Sequence, residues 1–182
     1  MQHFDDLWKD ELRLHLDAIR ASTQEAMDDE QAPFRIDKPL LYSAFIVRKL
    51  IEDGAVTDRL KGAWLEVKQH ASTRDGRPIF LEAILGELSV EDHFDLTRHT
   101  ALRISYSDVA SEIIHSDGLV WITNVDIPTA LMVFSYRNAL DRLIVIELDQ
   151  ITALLEAVLA DRPRRWWIET NVETGRVSQH AE

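Results

Sequence analysis

The chain has no cysteine, which excludes disulfide frameworks, cysteine-ligated metal sites and thiol nucleophiles. It has six glycines in 182 residues, and none of them forms a glycine-rich loop of the kind that holds a nucleotide phosphate. The Gly-x-Ser-x-Gly turn that positions the nucleophile of many hydrolases is also missing. No motif therefore assigns a reaction to a set of residues, and we expect a protein that works without a cofactor.

Long apolar runs are absent as well, since no stretch approaches the roughly 18 residues that a membrane-spanning helix needs. The first residues, 1–6, carry acids where a secretory signal needs bases. We therefore expect a cytoplasmic protein that does not contact a membrane. Its length fits a single domain, because domains cluster near about 100–200 residues.

Basic residues are fewer than acidic ones, 20 against 32, and the formal net charge is −12. Half of that net charge lies in residues 1–30. Such a surface repels nucleic acid and suits a basic protein partner, although solubility alone also explains it.

Apolar periodicity predicts a first helix over 3–21, in which Leu7, Trp8, Leu12 and Leu16 share a stripe. We expect the stripe to pack on the protein's own domain; the alternative is a second copy of the chain. Trp8 is accordingly a candidate partner-binding residue.

Further elements follow from caps, turns and β-rich runs. Asp37 is placed to cap a second helix, with Pro39 in its first turn. Three β-rich runs separated by short turns predict an antiparallel meander over 119–148. Asp149 is placed to cap the next helix, and we expect a loose tail from Ser178 onwards.

The helices mostly precede the strands, which favours an α+β fold with N-terminal helices packed on the antiparallel meander and a C-terminal helix. The predicted single domain, 1–182, comprises an acidic N-terminal helical segment (1–30), a mainly helical region (37–115, with a helix over 79–88), the meander (119–148), a helix (149–161) and a terminal strand or hairpin (162–177).

One acidic cluster has the residue types of a metal site. Glu91, Asp95 and His99 recur at four-residue steps, which places them on one face of a helix, and His93 is close by. Carboxylates and imidazoles are ligands for divalent metals. The alternative is a solvated acidic helix face, and since no known spacing such as His-Glu-x-x-His occurs, we expect no metal.

Glu112 and His115 are three residues apart on another predicted helix. They are candidates for a catalytic base and the carboxylate that orients it. The alternative is that a cationic His115 caps the end of the helix, where the helix dipole favours positive charge.

Two resemblances bear on this region. The run Ile113-Ile114-His115-Ser116, followed by apolar strands and a helix near Asp149, resembles a pattern in uncharacterised bacterial proteins. That resemblance implies no activity and no site. The histidine also invites comparison with helical ribonuclease toxins of the HEPN class, but no arginine here has a histidine at the spacing that class requires.

The segment before the C-terminus combines Arg164 and Arg165 with Trp166 and Trp167. Guanidinium groups beside aromatic rings are typical of protein–protein hot spots and also stack on nucleic acid bases. The alternative is structural, with one tryptophan in the core and the other covering a sheet edge, because adjacent strand residues face opposite sides.

Together these features predict a non-catalytic, acidic protein-interaction module, such as an inhibitor, an immunity-type protein or an accessory protein. Its partner is another protein or a second copy of the chain. One alternative is a metal-dependent hydrolase or nuclease using His93, His99 and nearby acids. Another is a small-ligand sensor with a pocket between the meander and the helices.

Overall fold

The computed structural model describes residues 2–24, 32–73, 89–135, 142–171 and 174–182. The helix predicted over 79–88 lies outside these ranges. The helices are α1 (Gln2–Ser22), α2 (Ala32–Glu52), α3 (Asp58–Lys61), α4 (Val90–His93), α5 (Tyr106–Ile114) and α6 (Leu148–Ala160). The strands are β1 (Trp64–Ala71), β2 (Thr100–Ser105), β3 (Ser116–Asn124), β4 (Ile127–Ser135), β5 (Arg142–Glu147), β6 (Trp166–Thr170) and β7 (Val177–Ala181).

Five strands form one antiparallel sheet in the order β2-β1-β5-β4-β3. The run β3-β4-β5 confirms the predicted meander, and the α+β prediction is confirmed with it. A two-residue turn joins β3 to β4. Val125 and Asp126 in that turn have positive φ angles of 49° and 64°, the backbone of a type I′ turn that matches the twist of a hairpin.

The region 37–115, predicted as mainly helical, contributes two strands to this sheet, β1 and β2. The prediction missed the alternation of side chains in β1, where Leu65 and Val67 face the helices while Glu66 and Lys68 face the opposite side. β1 lies between β2 and β5, so its backbone is paired on both edges. This central position stabilises a strand whose local sequence is rich in charge.

The main core lies between one face of the sheet and four helices, α1, α2, α5 and α6. A smaller cluster on the other face contains Phe94, Phe134 and Leu143. Gly118 lies against it, because a Cβ added there would be 2.4 Å from Cζ of Phe134. The main core includes Leu12, Leu16, Leu40, Val47, Val67, Ile104, Ile113, Leu131, Val133, Ile144, Leu154 and Val158.

Helix α2 begins five residues before the predicted cap. Asp37 lies inside the helix and accepts a hydrogen bond from Nε1 of Trp121 at 2.8 Å. Pro39 also lies inside it and has no N–H to give to the carbonyl oxygen of Arg35, four residues back. Oγ of Ser22 donates to that oxygen at 3.4 Å, so α1 supplies a replacement donor.

The last helix also begins earlier than predicted. Glu147, not Asp149, is its cap, and it forms a capping box with Gln150. Asp149 lies in the first turn, where its charge suits the helix dipole.

The tail predicted to be loose forms strand β7, which pairs antiparallel with β6 in a separate two-stranded sheet. We call this pair the C-terminal hairpin. The register places Trp166 opposite Ala181 and Thr170 opposite Val177. Ala181 is buried, so the tail is held by packing that local sequence does not reveal.

Candidate functional site

The C-terminal hairpin is fixed at its base to α3 and to the turn after α2. Nε1 of Trp166 donates to the carbonyl oxygen of Gly54 at 3.2 Å. Asp58 at the start of α3 accepts from the backbone amide of Ala181 at 3.3 Å and lies 2.8 Å from Nδ1 of His180. These contacts give the hairpin a defined position on the domain.

Beyond its base, the hairpin exposes large apolar side chains. Trp166 is 41% exposed, Trp167 46%, Ile168 70% and Val177 62%. Neither tryptophan lies in the core, so the structural alternative for this pair is wrong. The reason is that a two-stranded hairpin carries no second layer of its own under which to bury them. A group of exposed apolar side chains is typical of an interaction surface.

One edge of the hairpin is open. Arg165 and Glu182 exchange both backbone hydrogen bonds, each at 3.0 Å, so every second residue of β6 from Arg165 faces β7. The backbone groups of Trp166, Ile168 and Thr170 therefore point away from β7. Along this edge, the described part of the chain provides no pairing strand.

A cleft of about 700 Å³ lies between α3, the end of α6 and the C-terminal hairpin. Arg59, Arg162 and Arg164 line it, and so does the ring of Trp167. That ring is held in place by stacking on His180, with ring centroids 5.3 Å apart and planes 15° from parallel. We call this feature the arginine cleft.

The acids of the arginine cleft are engaged within the protein. Asp161 accepts hydrogen bonds from the amide and the hydroxyl of Thr57 at 2.6 and 2.8 Å. Burial raises the pKa of Asp58, but hydrogen bonds from His180 and Lys61 outweigh it and hold that pKa below its ordinary value. Both carboxylates are therefore hydrogen-bonded to donors of the protein itself.

Cationic groups gather at the same place. Within the described residues, the guanidinium groups of Arg59 and Arg164 form no hydrogen bond or ion pair. Lys9 is 3% exposed, and its Nζ donates to the carbonyl oxygen of Asp161 at 2.5 Å. Burial and, after it, the charge of Arg162 lower the pKa of Lys9. Three arginines therefore line the cleft, and Lys9 contacts Asp161 at its wall, in a chain whose net charge is −12.

Trp8, the other predicted partner-binding residue, contributes to packing within the domain. It is half-buried, and its ring meets that of Phe45 edge to face, with centroids 6.1 Å apart. Helix α1 lies on α2 and α6 and buries Leu12 and Leu16 against its own domain, as predicted, whereas Leu7 of the predicted stripe is 58% exposed.

The predicted metal cluster does not share a helix face, because α4 ends at His93. Asp95 and His99 follow in irregular chain, where Asp95 accepts a hydrogen bond from the amide of Thr97 at 3.0 Å. His93 is buried and Glu91 is exposed, so they face different environments. Among the residues that the structure describes, no three acidic or histidine side chains converge to hold a metal ion.

His99 instead lies beside His70 of β1, with ring centroids 5.9 Å apart. Nδ1 of His70 is 3.1 Å from the carbonyl oxygen of Asp95. A bridge between Ser72 and Phe94 brings the two segments together. The sequence gives no local signal for this pair of histidines, since 29 positions separate them along the chain.

The predicted base and its orienting acid have other partners. Glu112 is buried and forms an ion pair with Nη2 of Arg142 at 3.4 Å. His115 ends α5, and its Nε2 is 3.2 Å from Nη1 of Arg48. His115 thus occupies the C-cap position at the end of the helix that the alternative predicted.

A small gap lies among the helices of the main core. It is lined by α2, α5 and α6, including Leu40, Val109 and Leu155, and has a volume of about 10 Å³. That volume is about the space of one water molecule. No meander residue lines this gap, so the pocket predicted between the meander and the helices stays a prediction.

Comparison with known proteins gives no relative: no family model, no curated protein and no solved structure matches the chain. Within the described residues, no helix is long and apolar enough to cross a membrane. The C-terminal hairpin and the arginine cleft are therefore the features of the molecule that bear on its function.

Proposed function

We propose that this chain is a non-catalytic interaction protein whose C-terminal hairpin binds an extended segment of a partner protein along the open edge of β6. One observation carries the proposal: a hairpin anchored at its base exposes Trp166, Ile168 and Val177 on one face, beside an unpaired strand edge. An added strand would satisfy that edge with main-chain hydrogen bonds and cover the apolar side chains.

The chemistry of the edge defines the partner segment. Trp166 and Ile168 lie on the same face of β6, so they would contact apolar side chains at alternate positions of the added strand. Arg165 precedes them, and its guanidinium group has no ion-pair partner among the described residues. We therefore expect a segment of alternating apolar residues with acids near one end.

The partner is a different protein rather than a second copy. Each copy carries a formal charge of −12, and two such surfaces repel each other. The anchored base also favours binding, since a hairpin already held in position loses little conformational freedom when a strand is added.

A peptide library displayed on phage tests the proposal with the full chain as bait. Selected sequences should alternate apolar residues and include acids, and a synthetic copy should bind in a fluorescence anisotropy titration. Ile168→Pro removes an outward N–H without breaking the ladder to β7, and we expect a loss of affinity of at least about tenfold. Ile168→Ala, which keeps the N–H, should lose less.

Ile127→Ala is the matched control, because Ile127 is 43% exposed but lies on the β3–β4 hairpin. It should leave peptide affinity unchanged. Equal binding to wild type and Ile168→Pro would refute the strand-addition proposal. A dimer in sedimentation that Ile168→Pro abolishes would show instead that the edge binds a second copy.

A further inference from the structure

The arginine cleft has the features of a ligand site that is separate from the open edge of β6. We infer that it binds a small organic oxyanion, namely a phosphate or carboxylate group attached to a planar or apolar body. This goes beyond the proposed function, since the ligand is a small molecule and most of its contacts lie on α3 and at the end of α6.

The anionic group is recognised by arginine. Guanidinium groups bind carboxylate and phosphate through two parallel hydrogen bonds. Arg59 is supplied by α3 and Arg164 by the segment after α6, so one oxyanion would join two parts of the fold. Arg162 adds a third charge, and its Nη1 is held by the carbonyl oxygens of Leu159 and Asp161 at 2.8 and 3.1 Å.

Acids lining the cleft do not neutralise these arginines by pairing with them. The carboxylate of Asp161 faces Thr57, and that of Asp58 faces His180 and Lys61. Glu182 also lines the cleft; its backbone oxygen accepts from the amides of Arg164 and Arg165, and its side-chain carboxylate forms no ion pair within the described residues. The donors of Arg59 and Arg164 therefore remain available for an external anion.

The other side chains that line the cleft are mostly apolar and match the planar or apolar body of the ligand. Leu60, Ala157, Ala160 and Ala181 line the cleft with the ring of Trp167. Its volume of about 700 Å³ lies within the range of small-molecule sites, roughly 300–1,000 Å³. A free inorganic anion leaves these apolar walls uncovered. We therefore expect an anion with an organic body to bind more tightly than the anion alone.

Isothermal titration calorimetry in low-salt buffer tests the inference with four probes: inorganic phosphate, adenosine 5′-monophosphate, 2-naphthoate and uncharged adenosine. At least one organic anion should bind at one equivalent, about tenfold more tightly than inorganic phosphate, while adenosine should not bind. Comparing the affinities of the monophosphate and the naphthoate shows whether the cleft binds a phosphate or a carboxylate group. Absence of binding by both organic anions would overturn the inference.

Arg59→Gln should weaken binding of the organic anion at least about tenfold. Arg176→Gln removes the same charge near the tip of the C-terminal hairpin, outside the cleft, and should leave affinity unchanged. Equal weakening by both variants would mean non-specific attraction and would refute the site. Ile168→Pro should bind the anion normally, so failure of strand addition and failure of the anion site are separate results.

Discussion

Nε1 of Trp121 on β3 donates a hydrogen bond to Oδ1 of Asp37 on α2 across 2.8 Å, and this bond ties the sheet to the second helix. Burial raises the pKa of Asp37, and the hydrogen bond from Trp121 only partly offsets it. The carboxylate of Asp37 therefore accepts the hydrogen bond, but keeping it ionised in this buried position costs free energy.

Two substitutions of Asp37 separate these effects. Asp37→Ala leaves the indole N–H without its acceptor, and we expect the free energy of unfolding in urea to fall by about 1–3 kcal/mol. Asp37→Asn keeps an acceptor oxygen without the charge, and it should be at least as stable as wild type at neutral pH. Equal losses for both variants would contradict the assignment.

The raised pKa of Asp37 predicts that the stability of the protein depends on pH. Because its folded pKa is raised, the native state holds the proton more tightly than the unfolded state does. Wild-type stability should therefore decrease as the pH rises from the ordinary aspartate pKa through the raised one. Asp37→Asn should lack this decrease, and urea unfolding across the acidic range measures the difference.

Gly118→Ala tests the close approach of β3 to Phe134. The added methyl group would lie 2.4 Å from Cζ of a ring that is 1% exposed and cannot move freely. We expect a loss of about 1–3 kcal/mol, partly recovered by Phe134→Leu in a double-mutant cycle. Gly62→Ala, where the nearest atom is 3.5 Å away, is the control and should change stability little.

Asp161 joins the end of α6 to the start of α3. Asp161→Ala removes a buried acceptor from the amide and hydroxyl of Thr57, and we expect a loss of about 2–3 kcal/mol. Thr57→Ala should cost about 1 kcal/mol, because it loses the cap to Leu60 but keeps its own amide bond. The two losses should not be additive in urea unfolding, since both residues share one set of hydrogen bonds.

Lowering the pH should weaken the attachment of the C-terminal hairpin to Asp58 of α3. The pKa of Asp58 is lowered, so the stability it contributes is complete above its unfolded pKa and is lost as the pH falls through the folded pKa. The side chain is 40% exposed, which limits the contribution to under about 1 kcal/mol. Asp58→Asn should remove this acid dependence, and tryptophan fluorescence between neutral and acidic pH should follow it. The titratable neighbours of this contact are His180, Lys61 and Glu169. They are present in both wild type and Asp58→Asn, so a difference between the two proteins reports on Asp58.

The elements predicted correctly from the sequence are those specified by neighbours along the chain. Apolar periodicity was sufficient for α1, and β-rich runs with short turns were sufficient for the meander. β1 and β7 were missed because each depends on a distant strand or helix: β1 on β5, and β7 on Asp58 of α3. The local sequence predicts a cap at Asp37, because its hydrogen-bond partner, Trp121, lies 84 residues away.

The same distinction between local and distant neighbours applies to the candidate site. Arg164, Arg165 and the two tryptophans are adjacent in sequence, so their composition alone marked them as a surface of interest. The arginine cleft was not predictable, because Thr57 and Asp161 are 104 residues apart and meet only in the folded chain. No local pattern encodes such a pairing.

A substitution in the turn between β3 and β4 should increase the thermal stability of the protein. Val125 is β-branched and 85% exposed, yet it adopts a left-handed backbone with φ of 49°, which costs about 1–2 kcal/mol. Asparagine tolerates that conformation, so Val125→Asn should raise the melting temperature. An engineered turn of this kind would provide a robust parent for every variant above, because it changes neither the hairpin edge nor the arginines.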